Sequence, residues 1–405
     1  MKLPPLWKIT RELKRPLAQL KLLPSRVGTF LFGNKYYDWF LAKNSQCTVG
    51  RLAHNPRIAV YLIFPSQGVL ASHVEALKYL VSCGYAPLVV SNLPLTDGDR
   101  SKILDRCWLC LERPNYGYDF GGYRDGILLA KEKSARIDRL VLLNDSSWFP
   151  LPGAQDWLVE AEKTGLDFTG AVSNYGHPRV DPEDFRSIQW GYSTSHRNFH
   201  YCSFALMMSG RLMADPKFVK FWQRFPLTSD KKVTVRRGEI GLSQWITSSG
   251  YSHGMTSDPG LLDQHLAGFS QEELQDAVRN AVLLERPRLS ALRDRLLAEK
   301  APAEALRDFL LTAVALQGAS YVQPELMRRL FGTAFLKKSP CWLDEKGSET
   351  TIRFARSLDG AFGAAITEEA ETLRREKAPD FRLSKTAASR RNKGGCTGAR
   401  AQPPV

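Results

Sequence analysis

The sequence predicts an α/β protein with a mostly parallel sheet, helices on both faces and a helical carboxyl-terminal region. Two observations carry that expectation. Continuous apolar runs at Ile58–Phe64, Pro87–Asn92 and the LVLL of residues 140–143 alternate with stretches of helical spacing, separated by glycine turns. Runs without polar alternation are strands buried on both faces, the environment of a parallel sheet flanked by helices. Past residue 286 the pattern changes to Leu, Arg and Glu at helical spacing, with Pro302 near a helix start.

Residues 1–50 form a basic amphipathic segment. Trp7, Leu13, Leu17 and Leu20 are interleaved there with Lys and Arg before the aromatic run FLFGNKYYDWFL. Such a segment fits interfacial membrane binding or packing on the core. A first strand at Ile58–Phe64 is followed by a turn with Gly68 and a helix over 72–82. A second strand ends at Ser91-Asn92, and a short third runs from Trp108 to Leu111. A glycine- and tyrosine-rich turn at 114–126 opens a helix of about four turns, and LVLL then leads into Asn144-Asp145-Ser146-Ser147. Beyond Leu166 the pattern loosens. DFTGAVSNYG reads as strand and loop, FALMMS as a buried strand, Asp215–Phe225 as a helix and GEIGLSQWITSSGY as the start of another. The main domain is expected over 51–285, with a helical extension over 286–345 and a basic, largely disordered tail over 346–405.

At 405 residues the chain can bury a full core. No run approaches the roughly 18 to 20 apolar residues that span a bilayer. The start, MKLPPLWKITRELKR, lacks the apolar stretch of a secretory signal. Seven scattered cysteines argue for a reducing compartment. Cys107 and Cys110 form a CxxC without a second pair or a nearby histidine, and read as two buried thiols. The net charge of +14 is uneven: residues 1–45 and 372–405 each carry nine Lys/Arg against two acidic groups, leaving the middle close to neutral. A nucleic-acid binder carries its positive field on the folded domain, so no nucleic-acid partner is expected. Basic ends on a neutral globule suit an anionic membrane surface.

Three segments could carry chemistry at strand ends, where open α/β sheets place ligands. In Asn115-Tyr116-Gly117-Tyr118-Asp119, glycine permits positive φ and close approach to a ligand. The helix that follows points N–H groups into the turn. Asp119 would repel a phosphate, so a base, ribose or sugar hydroxyl is its expected partner, with helix capping as the structural alternative. In Asn144-Asp145-Ser146, a carboxylate ending a buried strand beside a diphosphate would hold Mg²⁺ or Mn²⁺. The alternative there is a cap for a helix near Gly153. Glu239, in GEIGLSQW, opens a helix and could act as general base toward a hydroxyl, or simply complement the helix dipole. Ser91 lies near the end of the second strand. His200 and His253 could line the cleft or be structural, and Trp148, Trp190 and Tyr192 could stack on a sugar or belong to the core.

Together these segments resemble a GT-A glycosyltransferase of the inverting kind. Asn115-x-Gly117 fits its N-x-G element, and Asn144-Asp145-Ser146 sits where its D-x-D motif lies. Aligning Leu242 with the leucine of its ED-x-x-L motif, and Gly250-Tyr251 with the motif's end, places Glu239 at the base position. Gly238 replaces the preceding acid. More specifically, the chain is similar to the rhamnan synthesis protein F family. The similarity lies in RPNYGYDFGGYRDG, LLNDSSWFPL, DFTGAVSN, HYCSFALMMSGRLM, EIGLSQWITSSGY and QPELMRRLFGTAFLKKSP, in consistent order over residues 56–340.

The resemblance implies transfer of a sugar, L-rhamnose or another deoxyhexose, from a nucleoside-diphosphate donor such as dTDP-L-rhamnose. The acceptor would be a growing lipid-linked glycan, as in O-antigen assembly, and the enzyme would be peripheral on the cytoplasmic face of a bacterial plasma membrane. Asn115, Gly117, Asp119, Ser91, Asn144 and Ser146 would then face the nucleotide, and Asp145 the metal and diphosphate. Glu239 would be the base, with His200, Trp190 and Trp148 on the sugar. A catalytically inactive scaffold of polysaccharide assembly is the alternative, raised by the incomplete acidic motif.

Overall fold

The computed structural model describes residues 33–391. The amphipathic stretch over 1–32 and the basic end past 391 lie outside the described residues. The chain divides into two compact units. Among the described residues, the first comprises those up to Pro150 with Gln155–His177 and Gly191–Asp258; the second comprises Leu151–Ala154, Pro178–Trp190 and those from Pro259 onward. The division therefore falls at 259 rather than 286, and two short segments of the expected main domain belong to the second unit.

The first unit holds an eight-stranded sheet in the order β1-β4-β3-β2-β5-β7-β6-β8. These strands are β1 Gln46–Val49, β2 Arg57–Ile63, β3 Ala86–Ser91, β4 Leu109–Glu112, β5 Arg139–Asn144, β6 Phe168–Gly170, β7 Ala205–Ser209 and β8 His253–Met255. The central pairs β4-β3, β3-β2 and β2-β5 are parallel, and β2, β3 and β5 are buried almost throughout. The flanks are mixed: β1 runs antiparallel to β4, β7 antiparallel to both β5 and β6, and β8 parallel to β6. Strand β1 lies inside the stretch expected to be amphipathic. Its four residues, QCTV, carry too short a pattern to read.

Helices α1 (Ala71–Ser82), α2 (Asp97–Leu104) and α3 (Tyr118–Lys133) connect the central strands. α3 packs unusually close to the sheet. A Cβ at Gly122 would lie 2.4 Å from Leu62, and one at Gly126 would lie 2.6 Å from Val60. One at Gly121 would lie 2.2 Å from the Tyr116 carbonyl. Gly121, Gly122 and Gly126 of the glycine-rich stretch therefore serve packing. Register levels the carboxyl edge: Leu62 pairs with Asn144, and Ile63 with Ser91.

The second unit is helical, as the spacing past residue 286 predicts. Pro287–Ala298, Ala303–Gln317 and Pro324–Phe331 are helices, and Pro302 caps the second of them. The expectation of a largely disordered tail over 346–405 is corrected across most of its length. Glu345–Arg356 and Gly360–Arg391 are helices. Ile352, Phe354, Ile366 and Ala370 are buried. Such buried apolar residues are few among the charged ones, so the high charge masks them. Among the described residues no helix is long and apolar enough to cross a membrane.

Candidate active site

The strand order puts a topological switch between β2 and β5. From β2 the chain steps through β3 to β4 on one side, then returns through α3 to β5 on the other. Open sheets bind ligands outside the carboxyl ends at such a point. Phe64 and Asp145, the residues that leave these strands, are joined by a hydrogen bond from Phe64 N–H to Asp145 Oδ2 at 2.7 Å. His73 on α1, fully buried, accepts from Leu70 N–H at Nδ1. Its proton is thereby placed on Nε2, which faces Asp145 Oδ2 at 3.3 Å. Asp145 does not cap a helix near Gly153. The next helix is Trp157–Lys163, capped by Asp156.

Asn144 ties the strand end to the helix start. Its Oδ1 accepts from Ser146 N–H at 3.1 Å and Ser146 Oγ at 2.6 Å, and its amide donates to Asp119 Oδ2 at 3.2 Å. The helix cap is Gly117, at φ +83°, so Asp119 sits in the first turn rather than at the cap. Tyr118 follows at φ +51°. Two left-handed residues in succession form a strained turn of the kind found at ligand sites. Arg113 pins the loop from below through Asp125, Asn92 and the Tyr116 carbonyl. Asn115 is exposed.

Glu239 reaches the same edge from far along the chain. It does not open a helix: a continuous helical stretch starts at Lys231, and Glu239 lies in a π-helical turn, Arg236–Ile240, before the helix Gly241–Ser248. π-turns inside helices recur at functional sites. Ser203, just ahead of β7, donates to Glu239 Oε1 from its N–H at 3.2 Å and its Oγ at 2.6 Å. His200 Nε2 lies 3.7 Å from the other oxygen, Oε2. His200 Nδ1 is 2.8 Å from the Asn198 carbonyl, which can only accept, so the proton sits on Nδ1. Gly238 is buried against Phe120, where a Cβ would lie 2.4 Å from the ring. An acidic side chain has no room there, which explains the glycine that replaces the first acid of the motif.

Tyr123 joins the two arms. It is wholly buried and donates to the Ser203 carbonyl at 2.8 Å. Burial pushes its hydroxyl well above the usual range, and the negative charges of Asp119, Asp145 and Glu239 push the same way. Through Ser203, which holds Glu239, this neutral tyrosine links the helix that carries Asp119 to the Glu239 segment. Sequence reasoning missed Tyr123, although its spacing of four from Asp119 puts both on one face of α3. It missed Ser203 and His73 too, and neither has a local signal.

Other expected site residues fall elsewhere. Ser91 is buried, and its hydroxyl donates to the Leu93 carbonyl at 2.6 Å, closing a turn. Trp148 is fully buried and offers no face to a sugar. Trp190 belongs to the second unit, where its indole N–H donates to the carbonyls of Pro259 and Gly260. His253 meets the Tyr201 hydroxyl at 2.7 Å, and burial lowers its pKa. Cys107 and Cys110 are buried free thiols, and burial pushes the Cys110 thiol up to about 12. Among the described residues no group of three or more His, Cys, Asp or Glu could hold a metal ion. A divalent cation would draw one or two carboxylates from the strand-end cluster and complete its shell with phosphate oxygens and water.

Comparison with known proteins agrees with the motif reading. The rhamnan synthesis protein F profile matches residues 88–318, more than half of the chain. The chain belongs to that family. A curated relative, the uncharacterized protein y4gN of Sinorhizobium fredii (strain NBRC 101917 / NGR234), is 30% identical over 247 residues. The match covers 60% of this chain and 59% of that protein, so the chain spans less than two thirds of its relative. Among solved structures, a mannosyltransferase from Pyrobaculum calidifontis in complex with GDP-Man and Mn²⁺ is 12% identical, covering 87% of this chain and 90% of its own, with a TM-score of 0.30. Core-mannan synthase A of Aspergillus fumigatus, in its Mn/GDP form, is 10% identical over 49% of this chain and 72% of its own, with a TM-score of 0.28. Superpositions at that level do not define a shared fold, and the architecture rests on the sheet itself.

Proposed function

We propose that this protein is a glycosyltransferase of bacterial polysaccharide synthesis. It moves a sugar, L-rhamnose or another deoxyhexose, from a nucleoside-diphosphate donor to a growing lipid-linked glycan. One observation carries the reading: at the switch point of the sheet Asn144, beside Asp145, donates to Asp119, while Tyr123, one turn after Asp119, donates to the carbonyl of Ser203, the residue that holds Glu239. Glu239 Oε1 is held by Ser203, which leaves Oε2 to take the proton of the acceptor hydroxyl. The hydroxyl oxygen attacks the anomeric carbon in line, the bond to the diphosphate breaks, and the anomeric configuration inverts. Asp145 and Asp119 face the donor, and Mg²⁺ or Mn²⁺ bound there would offset the charge of the leaving diphosphate. The test is to incubate the protein with a panel of nucleoside-diphosphate sugars, dTDP-L-rhamnose included, and measure released nucleoside diphosphate. Release with at least one donor is expected; no release with any member would remove the assignment.

The enzyme acts at the cytoplasmic face of the membrane in this reading. Trp39 and Phe40 are 59% and 63% exposed on a helical turn next to Lys35 and Lys43, while neighbouring Tyr37 is buried and anchors the turn. Exposed aromatics beside lysines suit an interfacial contact. Trp39→Ser with Phe40→Ser should reduce co-sedimentation with anionic vesicles, and unchanged sedimentation would count against this attachment.

A further inference from the structure

The middle of the chain is neutral in sum but not in place. A groove of about 730 Å³ in the first unit is lined by Arg197, Lys231, Lys232 and Arg236, together with His200 and Gln244, and by no carboxylate. The four cations are exposed, and among the described residues none forms an ion pair. A solvated charge run would lie along one helix. Here Arg197 comes from the loop before His200, while the others come from the helical stretch that carries Glu239, so tertiary structure gathers them around one concavity. His200 lines this groove and faces Glu239 Oε2 at 3.7 Å. The positive groove therefore adjoins the carboxylate assigned as base.

We propose that this groove is a diphosphate subsite serving the Glu239 centre. Four uncompensated cations in a concave, carboxylate-free wall match the charge and the several acceptor oxygens of a diphosphate, and charge-assisted hydrogen bonds to such groups are the stronger kind. The ligand's chemistry has two sources: the diphosphate of the sugar donor, or a phosphate group carried by the acceptor. The role in sugar transfer rests on the function proposed above; anion binding does not.

The probe is inorganic pyrophosphate, titrated calorimetrically without divalent metal against the wild type, Lys231→Ala/Arg236→Ala and Lys163→Ala, an exposed lysine outside the groove. The double variant should bind at least about 10-fold more weakly, since two charge-assisted contacts are lost. Lys163→Ala should bind as the wild type does, and rising salt should weaken wild-type binding. Both mutated cations are exposed, so an unchanged melting temperature is expected and shows that the fold is intact. Wild-type affinity in the double variant, or no binding by the wild type, overturns the subsite. Turnover then separates the sources. A raised KM for the donor, measured as hydrolysis without acceptor, assigns the groove to the donor diphosphate. A raised KM for the acceptor alone assigns it to acceptor phosphate. Weakened pyrophosphate binding with both KM values unchanged shows an adventitious anion site and overturns the catalytic role. If no nucleoside-diphosphate sugar turns over at all, the function fails, while the titration still decides the subsite.

Discussion

Asp145 and Glu239 each keep about one fifth of their side chain exposed at the same sheet edge, yet they arrive there by different routes. Asp145 is placed by its own strand. β5 ends one residue before it, the pairing of Leu62 with Asn144 fixes its height, and Phe64 N–H holds its oxygen. Its neighbour Asp119 sits in the first turn of the helix leading into that strand. Glu239 owes little to its immediate neighbours. Ser203, 36 residues earlier, grips its carboxylate, and a π-turn packed against Phe120 aims it. One arm is local and the other is assembled by tertiary contact. Substitutions should therefore fail differently in the two arms.

The largest effect is expected in the assembled arm. Glu239→Gln keeps the shape and can still accept both bonds from Ser203, but it cannot take a proton. Turnover should fall by about 10²- to 10⁴-fold, with donor affinity unchanged in a direct binding assay. Full rate in this variant, or retained anomeric configuration in the product, would remove Glu239 as base and leave Asp119 as the next carboxylate to test.

In the local arm, Asp145→Ala should lower turnover by roughly 100-fold if the carboxylate organises charge on the leaving diphosphate. Here donor affinity should fall as well, which distinguishes the arms. A chelator should depress wild-type turnover yet add little to the Asp145→Ala loss. Near-wild-type activity in the variant would dissociate the strand end from the donor.

This contrast also accounts for what the sequence made legible. The apolar runs of β2, β3 and β5 and the turn before α3 are contiguous signals, and the parallel centre of the sheet follows from them. Asp119, Asn144 and Asp145 were readable because each lies within a few residues of a strand end or helix start. Glu239 could be found only through a motif, and its setting was misjudged: the helix starts at Lys231, and the π-turn leaves no mark in residue spacing. Ser203 and His73 were invisible because their partners are 36 and 72 residues away. Trp148 and Trp190 show the converse error, since composition cannot tell a stacking platform from a buried ring or one committed to backbone carbonyls. The helices past residue 345 were lost to their charge, which hid the few buried apolar residues Ile352, Phe354 and Ile366.

The smallest expected effect probes the joint between the arms. A Cβ at Gly238 would lie 2.4 Å from Phe120 Cδ2, and that ring cannot easily yield because it stacks on Trp222 and Phe225 at 5.9 Å and 5.5 Å. The π-turn must then move away from α3, taking Glu239 with it. Gly238→Ala should cost about 1 to 3 kcal/mol of stability, the usual range for an overpacked core, read from denaturant midpoints. Activity per folded molecule should fall too, because the carboxylate is displaced from Ser203. Phe120→Leu opens the space the new methyl needs, so the double variant should recover part of both losses, a coupling that a double-mutant cycle measures. If Gly238→Ala lowers stability without touching turnover, the π-turn supports the fold alone and Glu239 is aimed by Ser203 without it. If the two losses appear together and Phe120→Leu relieves them together, the glycine at this position is what lets a base from a distant segment meet a strand end placed by local sequence.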